Sequence, residues 1–148
     1  MSFQNYKFYQ NYYIKSYVLL CHSISKFLFY WLMKTSLSGD TIRTQKLSFV
    51  IRTVGRHFPG HLLAWDFVKE NWNKLVQKFH LGSYTIQSIV AGSTHLFSTK
   101  VHLSEVQTFF ESQSEATFQL RCVQEALEII HLNIQWMEKN LKTLTWWL

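Results

Sequence analysis

Few residues in this sequence are of types and spacings that could do chemistry, and most of the spacings argue against it. His57 and His61 stand four apart in "HFPGH". Two imidazoles at i and i+4 on one helix face form the heart of the zinc motif H-E-x-x-H, where a Glu beside the first His acts as base. Here Phe58 occupies the Glu position, and Pro59-Gly60 would break the helix that must align the rings. His95 and His102 have no acid partner at useful spacing, and His80 and His131 read as surface or groove residues. Glu125 and Glu128 lie three apart, a spacing that suits acid–base work but is far commoner on a solvated helix face. Cys21 and Cys122 are distant and lack C-x-x-C spacing, so they read as buried free thiols rather than a disulfide or zinc site. There is no G-x-x-x-x-G-K-[ST], no G-x-S-x-G and no Gly-rich phosphate loop. The sequence therefore assigns no catalytic, cofactor-binding or metal-ligating residue.

Arg43, Lys46, Arg52 and Arg56 give one predicted helix a basic side. A solvated face accounts for them. The sharper alternative is a patch for an acidic partner or a peptide carboxylate.

The elements that must position these residues are helices. One Pro and five Gly are too few for the many tight turns of a sandwich or barrel. Leu47, Val50, Ile51 and Val54 fall at i, i+3, i+4, i+7, a single apolar helix face that ends at Gly55. After the break at "FPG", Trp65, Val68, Trp72, Leu75, Val76 and Phe79 make a second stripe, stopped by "LGS" at 81–83. "YTIQSIVAGSTHLF" forms a third helix, and "LSEVQTFFES" a fourth with Ser104 as its N-cap. The last pattern is the strongest. Leu120, Val123, Leu127, Ile130, Ile134, Met137, Leu141 and Leu144 alternate in steps of three and four. Ile129, Leu132 and Trp136 lie beside that seam and are expected to widen it into a face packed in a globular layer, burying Trp136 along with Trp72. Glu138 and Lys142 are placed for an i,i+4 ion pair. The fold class is all-α, with antiparallel helix pairs stacked as an α-solenoid of the armadillo or HEAT kind. No internal sequence period accompanies it.

Charge is uneven along the chain. The formal net charge is +6, but residues 1–39 hold Lys7, Lys15, Lys26 and Lys34 and no acid. The rest is close to balance, with no long basic run, which argues against nucleic-acid binding. The most apolar window, Ile14 to Met33, is interrupted by Lys15, His22 and Lys26 and makes a poor membrane span. No signal-peptide pattern of leading charge, apolar stretch and small-residue cleavage site is present.

Two stretches resemble a known family. "LLAWDFVKENWNKLVQKF" (Leu62–Phe79) meets the pattern A-W-x-F-x-x-x-N-W-x-x-L through Ala64, Trp65, Phe67, Asn71, Trp72 and Leu75. "LRCVQEALEIIHLNIQWMEKNL" (Leu120–Leu141) meets N-I-x-W-M-x-x-N through Asn133, Ile134, Trp136, Met137 and Asn140. In this order they resemble the C-terminal helical domain of the gluzincin zinc aminopeptidases, oxytocinase branch. The resemblance runs over residues 30–148 and leaves 1–29 outside as an atypical segment. It implies a fragment. Such enzymes carry their zinc motif, third-ligand Glu and G-A-M-E-N substrate motif in another domain, and none of these occurs here. The implied function is a capping domain that encloses the chamber where N-terminal residues are removed from peptides. Zinc is then implied for the whole enzyme only, and this chain is expected to be inactive alone. Its implied partners are the catalytic domain and peptide substrates, and the family suggests a membrane-anchored enzyme with a lumenal or extracellular active domain. The C-terminal "KTLTWWL" (Lys142–Leu148) is expected to dock on the helical stack. The rival class is a free-standing helical interaction module, dimeric through its last helix.

Overall fold

The computed structural model describes residues 26–39, 42–57 and 59–147. Among them there are seven α-helices and no strand, so the all-α expectation holds. Helix α1 covers 26–38. A 3-10 turn, Thr44–Lys46, leads into α2 (Leu47–Gly55), followed by α3 (His61–Phe79), α4 (Tyr84–Thr94), α5 (Lys100–Gln113), α6 (Glu115–Phe118) and α7 (Arg121–Trp147).

The predicted apolar faces are the buried ones. Leu47, Val50, Ile51 and Val54 of α2 are all buried, as are Trp65, Val68, Trp72 and Leu75 of α3. After α3 the backbone turns through positive φ at His80 (62°) and Gly82 (84°), which no helix can follow. Ser83 then caps α4, its hydroxyl accepting from the Ile86 amide. Helix α5 starts four residues before the predicted cap. Thr99, in extended backbone, accepts from the His102 amide, while Ser104 lies exposed inside the helix. Helix α6 is one turn capped by Ser114, too short to leave a periodic signature.

Helix α4 sits at the centre, packed against α2, α3 and α7. It approaches α2 at two glycines. A Cβ on Gly55 would stand 2.3 Å from the Gly92 carbonyl oxygen, and one on Gly92 would stand 3.0 Å from the Arg52 Cα. A second cluster joins α3 to α5. Trp72 meets Phe110 edge-on at 5.2 Å, and Trp65 meets Phe109 at 5.3 Å. Such edge-to-face pairs add to simple burial.

Helix α7 departs from expectation. Val123, Ile130 and Ile134 of its seam are buried against the rest of the fold. Ile129, Leu132 and Trp136, expected to join them, are exposed, Trp136 by 56%. The reason is rotation: Trp136 lies two residues past buried Ile134, about 200° around the helix. As far as Ile134 the seam therefore packs within its own fold, whereas Leu141 further along it is exposed. Glu138 pairs with Lys100 at 3.0 Å, across to α5, and not with Lys142.

Helix α1 runs unbroken through position 29, with Phe29 stacked on His57 (5.7 Å) and Met33 fully buried, while Phe27 and Leu28 are exposed. Cys21 and the rest of residues 1–25 lie outside the described residues. In the C-terminal stretch Trp146 is 80% exposed. The Trp147 side chain and Leu148 are outside the description.

Two substitutions test this packing by equilibrium unfolding. Trp72→Ala should cost roughly 3–5 kcal/mol, as for a large buried aromatic, and Trp136→Ala less than about 1 kcal/mol. Equal costs would mean that Trp136 is buried after all. Gly55→Ala should cost about 1–3 kcal/mol or more, because the new methyl meets backbone that cannot yield cheaply. A neutral result would show that α2 and α4 are not in close contact.

Candidate functional site

The structure brings together residues that are far apart in sequence. A groove of about 340 Å³ opens between α2, α4 and α7. Helix α2 supplies Arg52, and Arg56 stands just past its end, one turn on. Helix α4 supplies Tyr84, Gln87 and Ser88, and His95 follows its last turn. Helix α7 supplies Glu125 and Ile129. The groove lies beside the crossing where Gly92 of α4 meets the Arg52 backbone.

The charges in the groove are uneven. Glu125 is already paired with Arg121, one turn earlier on α7, at 2.7 Å. Among the described residues, neither Arg52 nor Arg56 has an acidic partner. His95 directs its Nδ1 at the Gly92 carbonyl oxygen, 3.1 Å away, so that nitrogen carries the proton in the neutral ring. Burial holds the His95 pKa below the ordinary histidine range. The Gly92 bond opposes this, and the charges of Arg56, Arg52 and His61 add to it. The basic side read from sequence thus divides. Arg52 and Arg56 line a cavity, whereas Arg43 and Lys46 are exposed outside it.

Beside the groove, Ile129, Leu132 and Trp136 form an open apolar flank along α7. Asn133 fixes the angle of that helix: its Nδ2 donates to the carbonyls of His95 (3.0 Å) and Phe97 (2.9 Å). These bonds satisfy two backbone acceptors in the loop after α4 and explain what Asn133 contributes to the N-I-x-W-M pattern.

A polar network covers the α3–α5 contact. Lys69 bonds both Glu105 (2.5 Å) and Asp66 (2.9 Å), and the Trp65 indole N–H donates to Glu105 at 3.1 Å. Burial alone would raise Glu105, but Lys69 and the indole outweigh it and hold the carboxyl below its usual range. Lys69 is raised, since its two acid partners outweigh the burial that lowers it. One turn before Glu105, His102 stacks on Phe97 at 4.3 Å, with its Nδ1 buried and unbonded. Burial, then the charge of His61, keep His102 below the ordinary range against the pull of Glu105.

The candidates named from sequence do not converge on chemistry. His57 stacks on Phe29, and His61 meets Phe97 edge-on at 6.2 Å, so the two rings of "HFPGH" turn to different neighbours. His80, His131 and Glu128 are exposed. Cys122 is a buried free thiol whose pKa burial pushes up. Among the described residues, no three of His, Cys, Asp or Glu are grouped to hold a metal ion. The donor set among these residues does not fit zinc. No described helix is long and apolar enough to cross a membrane. The groove itself was not legible in sequence, because three helices separated by tens of residues make it.

Residues 14–132 match the profile of the family described as the ERAP1-like C-terminal domain. The match takes in positions 14–29, which the sequence patterns alone had left outside. The chain is 46% identical over 129 residues to human endoplasmic reticulum aminopeptidase 1, covering 87% of this chain and 14% of that protein. It is 46% identical over 117 residues to human endoplasmic reticulum aminopeptidase 2, covering 79% and 12%. It is 32% identical over 123 residues to aminopeptidase N of Bos taurus, covering 79% and 13%. The chain thus spans about one seventh of the length of the first of these relatives.

The two depressed histidines make stability fall in acid. The folded state holds His95 and His102 neutral, while the unfolded chain takes up protons near pH 6.5. Their contribution is complete above that pH and is lost as pH falls toward their folded values. Urea unfolding at pH 7.5 and 5.5 should show this loss, and His102→Phe, which keeps the stack on Phe97, should reduce it. An unchanged pH dependence in the variant would exclude His102 as a source.

Proposed function

The chain belongs to the ERAP1-like C-terminal domain family, and from that premise we propose that it is the C-terminal capping domain of a zinc aminopeptidase that removes N-terminal residues from peptides. The observation that carries the reading is the 14–132 match combined with the small share of each relative's length that it represents. The chain corresponds to the helical domain of a much longer enzyme, and the zinc site belongs to another part of that enzyme.

On this reading the helices α1–α7 are one stretch of an α-solenoid, and the partners are the catalytic domain and peptide substrates. The domain contributes shape. Closing such a cap over a catalytic domain excludes water and limits which peptides fit. The open flank of Ile129, Leu132 and Trp136 and the adjoining cationic groove are its features suited to meeting a peptide or a neighbouring domain. Within the oxytocinase branch, Ile51–Phe79 and Asn140–Leu148 read like leucyl-cystinyl (insulin-regulated) aminopeptidase, although the relatives named above do not single that member out. The parent enzyme would be membrane-anchored with a lumenal or extracellular active domain, a placement consistent with the endoplasmic reticulum in its relatives' names.

The apolar flank also favours a second reading, a free-standing module that dimerises through α7. Sedimentation separates the two. A dimer lost on Leu132→Glu would support the module, and a monomer at all concentrations would remove it.

Two assays test the main reading. The chain alone, given zinc and leucyl or cystinyl reporter peptides, should show no chelator-sensitive turnover. Grafted in place of the corresponding segment of human endoplasmic reticulum aminopeptidase 1, it should support turnover with a changed dependence on peptide length. Activity from the isolated chain, or a folded but inactive graft, would contradict the capping role.

A further inference from the structure

We propose that the groove between α2, α4 and α7 is a binding site for a small oxyanion, a phosphate or carboxylate group held between the guanidiniums of Arg52 and Arg56. The site stands apart from the peptidase reading and does not depend on it.

Three observations lead to it. First, Arg52 on α2 and Arg56 just past its end lie four apart, where like charges repel, and no acid among the described residues relieves them. The carboxylate in the groove, Glu125, is held by Arg121 at 2.7 Å. Second, the cavity is built. It is a space of about 340 Å³ between three helices, and Ala126 and Ile129 give it an apolar wall that strengthens charge interactions inside. Guanidinium forks match the oxygens of phosphate and carboxylate, two parallel bonds at a time. Third, His95 faces the same two arginines and can answer the ligand. Its Nδ1 proton is committed to Gly92, which leaves Nε2 to gain a proton when an anion neutralises the guanidiniums.

The charged and titratable groups around His95 are Arg52 from α2, Arg56 just past its end, His61 from α3 and Glu125 from α7. All but Glu125 disfavour a proton on the ring, and a bound oxyanion reverses the effect of the two arginines. Anion binding and His95 protonation are therefore linked, and each strengthens the other. A second groove, beside Lys34, Lys74 and Lys78, is also cationic. There the Lys78 ammonium is already engaged by the Leu37 carbonyl at 2.6 Å, and lysines act as single points rather than forks.

The test is NMR titration of the 148-residue chain with inorganic phosphate at constant ionic strength. Parallel titrations use N-acetylglutamate and its neutral counterpart N-acetylglutamine amide. Saturable shifts should centre on Arg52, Arg56 and His95, and the His95 pKa should rise on saturation. Binding of N-acetylglutamate, whose carboxylates stay ionised across this range, should tighten from pH 7.4 to 5.8 by several-fold, below the ceiling of about 40-fold that one linked proton sets over that interval. Arg52→Gln and Arg56→Gln should each weaken it at least about tenfold, as expected on losing a charge-assisted fork. His95→Gln should retain binding and lose most of the pH dependence. Phosphate alone, or N-acetylglutamate alone, would each support the site and tell a tetrahedral from a planar ligand. No saturable binding by either anion, or equal loss in a Lys74→Gln/Lys78→Gln control, would overturn the proposal, as would equal binding of the neutral amide.

Discussion

The packing of this domain depends on how closely α2 can approach α4. Where they cross, Gly55 faces the Gly92 carbonyl and Gly92 faces the Arg52 backbone, with no room for a methyl group on either. Close backbone approach brings Leu47, Ile51 and Val54 into one buried layer with Ile86, Ile89 and Val90. Interiors packed to crystal density respond to even one added methylene, so two adjacent glycines set the geometry rather than merely permit it. Gly60 repeats the constraint at the start of α3, where a Cβ would meet the Val54 carbonyl at 2.3 Å. The turn between α2 and α3 is therefore held against the same helix.

The remaining features follow from that core. Because α4 is fixed, the loop after it offers the His95 and Phe97 carbonyls at a defined place, and Asn133 binds both. That clamp sets the rotation of α7. It directs Val123, Ile130 and Ile134 inward and leaves Ile129, Leu132 and Trp136 outside. The same crossing leaves Arg52 and Arg56 on the rim of an open groove. The surface features best suited to recognition are thus by-products of how the core closes. That suits the proposed capping role, in which the domain would contribute shape and surface rather than bond-breaking groups.

How much of this could be read from sequence depended on the length of each signal. The faces of α2 and α3 were legible because four or more apolar residues keep helical spacing, and burial followed that spacing. The seam of α7 was legible for the same reason. Its flank was not: Trp136 lies in a recognisable motif and is apolar, yet sequence does not say on which side of a helix the neighbour sits. Helix α6 and the Thr99 cap were missed because a single turn carries no period. Two patterns, around Trp72 and Trp136, were enough to indicate the family, whereas its reach back to residue 14 lay in a stretch with no such pattern. The groove escaped sequence reading because its arginines, histidine and apolar wall come from three helices. Asn133 was visible only as a motif letter until its two carbonyl partners were placed.

Native-state hydrogen exchange on the whole chain tests the central claim most directly, because it reports the order in which helices open. If the α2–α4 crossing organises the fold, amides of Val50–Val54 and Ile89–Gly92 should be the slowest to exchange, opening together in a single unit. Amides beyond Met137 on α7 should exchange well before them. Slow exchange confined to α7, with α2 opening early and independently of α4, would contradict the account and place the organising contact elsewhere.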